Sequence, residues 1–391
     1  MNQTLRAATR MDRVQTPIIP VIGRMIRSTP GTISLGQGVV HYGPPAQVAD
    51  AVRAALERSS THEYNDGAGL PALLDRITRK LAADNRIDVS RGSKIMVTAG
   101  ANMAFMHAVL ATTAPGDEII LPTPFYFNHE MAIDMAGCTA VKVPTDDRYQ
   151  LRLDAIRAAI TSRTRAVVTI SPNNPSGAVL SESSLRELNT LCRERGLYHI
   201  ADEPYEYFTY GHARHVSPGS FPDAAGHTIS MYSLSKAFGF AGWRIGYAVY
   251  PEHLEAAMMK SQDTILIVPT IAAQEAAIAA LDVGRAYCEP FVRELASIRD
   301  IVVSQLGELG ALATVPAADG AFYCLLRVHT EMAPLALAER LIKEHKVAVI
   351  PGTAFGMEQG CYFRVAYGAL QKASVTEGIG RLVKGLRAIV G

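Results

Sequence analysis

The sequence is poor in features that mark several common classes of protein. Its five cysteines (Cys138, Cys192, Cys288, Cys324 and Cys361) are odd in number and scattered, and no Cys-x-x-Cys occurs. That pattern offers neither a disulfide framework nor a thiolate metal site, and it suits a reduced, cytoplasmic setting. No His-Glu-x-x-His occurs among the 11 histidines, so no metal is expected. Basic and acidic residues nearly cancel, 38 against 37, and the net charge is +1. No long run of one sign occurs, which leaves no electrostatic case for nucleic acid or an anionic membrane. No apolar run approaches the roughly 18 residues of a membrane span. There is no internal repeat and no low-complexity linker. The first 27 residues are rich in arginine and poor in acids, a faint transit-peptide trait. Pro17, Pro20 and Gly23 interrupt that segment. Met11 to Ile26 reads better as an arm that packs on a partner.

What is present is a soluble-enzyme composition, with 48% hydrophobic and 19% charged residues over 391 positions. A chain of this length suits two domains or one large α/β domain, and it buries roughly 75% of its unfolded surface without staples. Helical periodicity appears over Ala46 to Arg58 and Leu70 to Ala83. Strand and helix then alternate. Short apolar runs at Lys94–Thr98, Glu118–Leu121, Ala140–Val143, Ala166–Ile170, Leu197–Ala201, Thr228–Met231 and Ile245–Val249 read as strands. Helical patterns lie between several of them, at Asn102–Thr112, His129–Ala136 and Glu182–Arg195. Such alternation argues for an α/β three-layer sandwich, a mostly parallel sheet with helices on both faces. Glu252 to Leu281 is long and Ala-rich, with Pro269 placed to interrupt it. The last hundred or so residues mix an amphipathic helix (Arg293 to Leu309), strands near 322–328, 347–350 and 362–365, and further helices at 335–344 and 375–389. This reads as a smaller α+β domain. The expected division is a large domain over 46–281 and a small one over 1–45 and 282–391.

The most informative stretch is Ser233-Leu234-Ser235-Lys236-Ala237-Phe238-Gly239-Phe240-Ala241-Gly242-Trp243-Arg244. A lysine among apolar groups loses solvation of its ammonium form, so its pKa falls and the free amine becomes a nucleophile toward carbonyls. The hydroxyl of Ser233 and the guanidinium of Arg244 suit a phosphate ester beside that amine. An aldehyde and a phosphate on one small molecule describe pyridoxal phosphate.

Other polar residues fall at the carboxyl ends of the expected strands, where doubly wound sheets place ligands. Asp202 ends one strand and could hold a proton on a pyridine nitrogen, or simply cap the next turn. Tyr205, three residues on, could reach a phenolic oxygen on the same ring or sit half-buried in the core. Asn174 lies in Ser171-Pro172-Asn173-Asn174-Pro175-Ser176-Gly177, which forms a turn whatever the function. Its amide could also reach the ring oxygen and a substrate carboxylate. Gly100-Ala101-Asn102 open a helix with small residues and expose backbone N–H groups to an anion. Tyr126 offers a flat face that could stack on a ring. Arg364, on an apolar strand, needs an anion, either an internal carboxylate or a substrate α-carboxylate. Tyr64 sits in a Gly-rich turn and alone says little.

In order and spacing these motifs resemble fold-type I pyridoxal-phosphate enzymes of the class I/II aminotransferase family. The resemblance runs from Leu35-Gly36-Gln37-Gly38 through Thr98-Ala99-Gly100, Pro122-x-Pro124 and Asn173-Asn174-Pro175-x-Gly177. It continues through Asp202-Glu203-x-Tyr205, Ser233-x-x-Lys236 and Gly242-Trp243-Arg244 to Phe363-Arg364. It implies that Lys236 forms the aldimine and shuttles the proton, that Asp202 pairs with the ring nitrogen, and that Tyr205 and Asn174 bond the ring oxygen. Tyr126 would stack on the ring. The phosphate would be held by the Gly100–Asn102 backbone, Ser233, Ser235 and Arg244, with Tyr64 reaching across from a second subunit. Arg364 would bind the substrate α-carboxylate, with Gly38 beside the substrate. The family builds shared active sites in a homodimer, and the segment around Pro269-Thr270 matches its other cross-subunit contribution. The implied reaction is ping-pong transamination between an L-amino acid and a 2-oxo acid.

The substrate is less legible. Dicarboxylate-preferring bacterial relatives carry a lysine in the turn after the Gly100 position, where this chain has Asn102 and Met103. The aromatic run at 124–130 and the Leu-Gly-Gln-Gly loop favour a neutral or aromatic donor, methionine or glutamine over aspartate. Aspartate transamination, β-elimination by a C–S lyase, and a non-catalytic cofactor-binding sensor are the alternatives.

Overall fold

A computed structural model describes residues 8–316 and 318–391. Its centre is a seven-stranded sheet. From one edge to the other the strands run Ser93–Thr98, Gly246–Pro251, Thr228–Ser233, Tyr198–Asp202, Thr164–Ile170, Glu118–Thr123 and Thr139–Pro144. Only Gly246–Pro251 runs against its neighbours. The other pairings are parallel and need crossover connections, helical for most of them, whereas Tyr198–Asp202 and Thr228–Ser233 are joined by a long loop with only short 3-10 turns. The inner strands are buried on both faces, which is why they read as continuous apolar runs rather than alternating ones.

One consequence positions everything that follows. Six strands end at the same edge, and Thr98, Ile170, Asp202 and Ser233 stand along it. In the register, Gly246 faces both Thr98 and Ser233. The one antiparallel strand therefore begins where two others end, and it brings Arg244 to the same rim.

A second sheet of four strands is ordered Ile350–Pro351, Cys361–Ala366, Tyr323–Val328 and Ala313–Thr314. Long helices Glu289–Gly307 and Lys372–Val390 flank it, with Pro334–His345. The core beneath it runs from Ile22 and Leu35 to Leu386, and it takes in Tyr205 and Phe208 from the other side. The two sheets are thus joined through the loop that follows Asp202.

The structure departs from the sequence expectations in four places. A helix at Leu153–Ala159 is one the periodicity did not isolate; it is only two turns long. The expected single break at Pro269 is wider, with helices ending at Ile265 and restarting at Ile271. The glycine- and proline-rich stretch after Gly31 contributes a short strand, Ile33–Ser34, paired in parallel with Val347–Ala348. The N-terminal segment, read as an arm without assigned structure, contains a helix, Ile18–Arg27, which places Ile22 in the chain's own core and leaves its other residues at least partly exposed.

Candidate active site

The common edge of the large sheet opens into a cleft of about 220 Å³, roofed by the loop at Gly36–Val39 and by the second sheet. Gly38, Ala101, Asn102, Tyr126, Asn174, Asp202, Tyr205, Ser233, Ser235, Lys236, Arg244 and Arg364 all line it. Tyr64 does not. The residue is 87% exposed, and it lines a separate groove with Leu266 to Ile271.

Lys236 follows the strand Thr228–Ser233 on a single helical turn capped by Ser233. Its Nζ donates to the Gly38 carbonyl at 2.6 Å. Burial, then the charges of Arg364 and Arg244, lower its pKa from 10.5 to about 8, against an opposing pull from Asp202. At neutral pH the uncharged amine, the form a nucleophile or base requires, is therefore a minor but far larger fraction than in an ordinary lysine.

Asp202 is buried at the end of its strand. Its Oδ2 lies 3.1 Å from His129 Nε2, whereas Oδ1 is buried and has no partner among the described residues. An acceptor left that way is costly unless a ligand donates to it. His129 is fixed by stacking on Phe105, with ring centroids 4.1 Å apart.

Two sets of hydrogen-bond donors suited to anions stand at opposite ends. At one, the helix Ala101–Thr112 begins with no side-chain cap, so its first N–H groups face outward. Gly100 there has φ 78°, and a Cβ on it would fall 2.6 Å from Arg244 Nη2. The guanidinium thus lies flat against backbone that only glycine leaves clear. At the other end Arg364 is buried. Its Nη1 donates to Asn174 Oδ1 at 2.9 Å and its Nη2 to the Gly36 carbonyl at 2.8 Å. Its Nε is buried without a partner among the described residues.

Tyr205 and Tyr126 stand near the middle. Burial pushes the Tyr205 phenol well above its ordinary range, and raises that of Tyr126, so both are protonated donors at neutral pH. Asn174 Nδ2 donates to Tyr205 Oη at 3.4 Å. The turn carrying Asn174 is docked tightly. Gly177 has φ 75°, and a Cβ on it would lie 2.3 Å from the Tyr323 carbonyl oxygen.

Two groups were not singled out in the sequence: Tyr323, which lines the cleft, and His129, which stands behind Asp202. Tyr323 is fully buried, and its Oη stands 2.9 Å from Tyr205 Oη. The chain also contains one His-x-x-His, His212 and His215. His215 Nε2 is 2.8 Å from Glu203 Oε2, and among the described residues no group of three His, Cys, Asp or Glu could hold a metal.

Over most of its length the chain is similar to known proteins. Residues 30–382 match the family described as aminotransferase class I and II. A probable aspartate/prephenate aminotransferase of Aquifex aeolicus is 34% identical over 91% of this chain and 91% of its own. An aromatic aminotransferase of Arabidopsis thaliana is 32% identical over 96% of this chain and 94% of its own. The solved structure of an aspartate aminotransferase variant of Thermus thermophilus superposes with a TM-score of 0.90, at 29% identity, covering 98% of this chain and 100% of that one.

Proposed function

Because this chain belongs to the class I and II aminotransferase family and is a transferase of fold type I, we propose that it uses pyridoxal phosphate to move an amino group from a neutral or aromatic L-amino acid to a 2-oxo acid. The observation that carries the cofactor assignment is the buried, unpartnered Asp202 Oδ1 in the same cleft as a lysine of lowered pKa. A pyridine N–H is a donor of the size and polarity that position asks for. When bound, the cofactor supplies an electron sink for the charge left as the substrate Cα loses its proton.

The roles of the chain's own residues follow. Lys236 Nζ supplies the amine that holds the cofactor, and then the base that takes the Cα proton. Asp202 Oδ1 keeps the ring nitrogen protonated, with His129 fixing the carboxylate. Tyr205 and Asn174 serve the ring oxygen, and Tyr126 packs on the ring face. Ser233, Ser235, Arg244 and the backbone of Gly100 to Asn102 hold the phosphate. Arg364 takes the substrate α-carboxylate, exchanging part of its bonding to Asn174 and Gly36.

The donor preference rests on what surrounds the space between these groups. Ile19, Val39 and Phe127 give it apolar walls. The cations that line it are Lys236, Arg244 and Arg364, each already assigned, and Asn102 is uncharged. A second carboxylate on the substrate would find no further cation among the described residues that line the cleft. Aspartate is the alternative donor, since relatives named aspartate aminotransferase share this scaffold. The active form is a homodimer. The exposed Tyr64 and the groove beside Pro269 and Thr270 support that reading, because a large aromatic left in solvent next to an apolar groove suits a second copy.

The test is the visible spectrum of the purified protein with amino acids added one at a time. Replacement of the lysine-bound cofactor band by the aminated form with aromatic amino acids or methionine supports the proposal. Response to aspartate alone overturns the donor class. A persistent band with pyruvate released from a cysteine conjugate would make the protein a lyase.

A further inference from the structure

Tyr323 has no part in the roles above, yet it stands among all of them. It opens the strand Tyr323–Val328 and is fully buried. Arg364 Cζ lies 4.8 Å from its ring centroid. A Cβ on Gly38 would fall 3.0 Å from its Oη. Among the described residues its hydroxyl has one hydrogen-bond partner, Tyr205 Oη at 2.9 Å.

Proton counting decides the direction of that bond. A phenol has one proton to give and an oxygen that accepts up to two. Tyr205 Oη already accepts from Asn174 Nδ2, which has no lone pair to offer in return. If Tyr205 donated to Tyr323, its single proton would be spent on that bond and none would be left for the cleft, although Tyr323, which also lines the cleft, would keep its own. If Tyr323 donates, both lone pairs of Tyr205 are filled and the Tyr205 proton has only the cleft to point into. Only the second arrangement leaves Tyr205 a proton for the ring oxygen assigned to it.

We propose that Tyr323 is a positioning residue for the reaction: its hydroxyl donates to Tyr205 Oη and thereby aims the single Tyr205 proton into the cleft. A phenol whose oxygen accepts two hydrogen bonds is also the stronger donor, because linked hydrogen bonds polarise one another. The inference rests on the reading of the cleft as a pyridoxal phosphate site, in which Tyr205 serves the ring oxygen.

The experiment is a pH titration of the visible spectrum of the holoenzyme, for wild type, Tyr323→Phe, Tyr205→Phe and the double variant. Phenylalanine keeps the ring against Arg364 and the core packing, and the melting temperature of each variant checks the fold. A weaker donor to the ring oxygen raises the pH at which the bound chromophore loses its proton. The Tyr323→Phe midpoint should move upward by a few tenths of a unit to about one unit, the span of a neutral hydrogen bond. The same change should add nothing in the Tyr205→Phe background, since the effect passes through Tyr205. A Tyr323→Phe midpoint equal to wild type overturns the proposal. So does an equal shift in both backgrounds, which would make Arg364 the route. A wild-type protein with no cofactor band would overturn the reading of the cleft itself, and this inference with it.

Discussion

Gly100 and Arg244 share a volume that holds only one of them: a Cβ at position 100 would sit 2.6 Å from Arg244 Nη2. The glycine is also at φ 78°, where other residues are strained. Gly100→Ala should push the guanidinium away from the helix N-terminus and twist the turn that precedes it. We expect a loss of about 1–2 kcal/mol in cofactor binding, or roughly tenfold in affinity. Equilibrium titration of the apo protein with pyridoxal phosphate reads this directly; an affinity equal to wild type would mean the phosphate is held elsewhere.

The lowered pKa of Lys236 makes a prediction about pH. The amine is half uncharged near pH 8 and loses that form tenfold for each unit below it. The rate at which apo protein develops the cofactor absorbance band should therefore climb with pH and level off above about 8. A rate that keeps rising toward 10.5 would return the lysine to its ordinary value. The sign for stability is set by proton counting. Between about 8 and 10.5 the unfolded chain binds this proton and the folded one does not, so this group's contribution to stability rises with pH across that window. Lys236→Met should flatten that slope in the apo protein.

Arg364 is buried and bonded to Asn174 and Gly36 rather than to a carboxylate. Arg364→Ala should raise KM for amino acids by about a hundredfold, as loss of a charge-assisted pair implies, with cofactor retention little changed. Weakened cofactor retention with KM unmoved would make Arg364 a structural residue.

Tyr64 faces solvent, outside the cleft of its own chain. If it completes the site of a second copy, two defective variants should repair each other. Lys236→Ala has no amine, and Tyr64→Ala lacks the reaching phenol. Mixing them through a dissociation step should give hybrids with one intact site and regain activity above that of either parent. Mixtures no better than their parents would place Tyr64 in its own subunit's chemistry or in none.

The sheet was legible because its inner strands are buried on both faces and come as short apolar runs, most of them divided by helices of clear period. Lys236, Asp202 and Arg364 could be picked out because a charge among apolar neighbours is costly and so asks for a reason. The same logic misses Tyr323. It sits in Phe322-Tyr323-Cys324-Leu325-Leu326, where an aromatic is what a buried strand would carry anyway, and nothing local says which face meets the cleft. His129 did leave a signal. It lies three residues after Tyr126 on the helix Phe127–Met135, close to the sheet edge where ligands gather. The short helix Leu153–Ala159 has too few turns to display a period. The His-x-x-His at 212 and 215 carries ligand spacing without ligand geometry, because His215 turns to Glu203.

The loop at Gly36 to Gly38 is held by two side chains that the proposed reaction engages for other purposes. Arg364 Nη2 bonds the Gly36 carbonyl, and Lys236 Nζ bonds the Gly38 carbonyl. A carboxylate that claims Arg364 competes with the first bond, and any chemistry at the amine removes the second. Occupancy and loop freedom are therefore one equilibrium: each step that engages the site also loosens the strap across it, and each release of product lets the strap refasten.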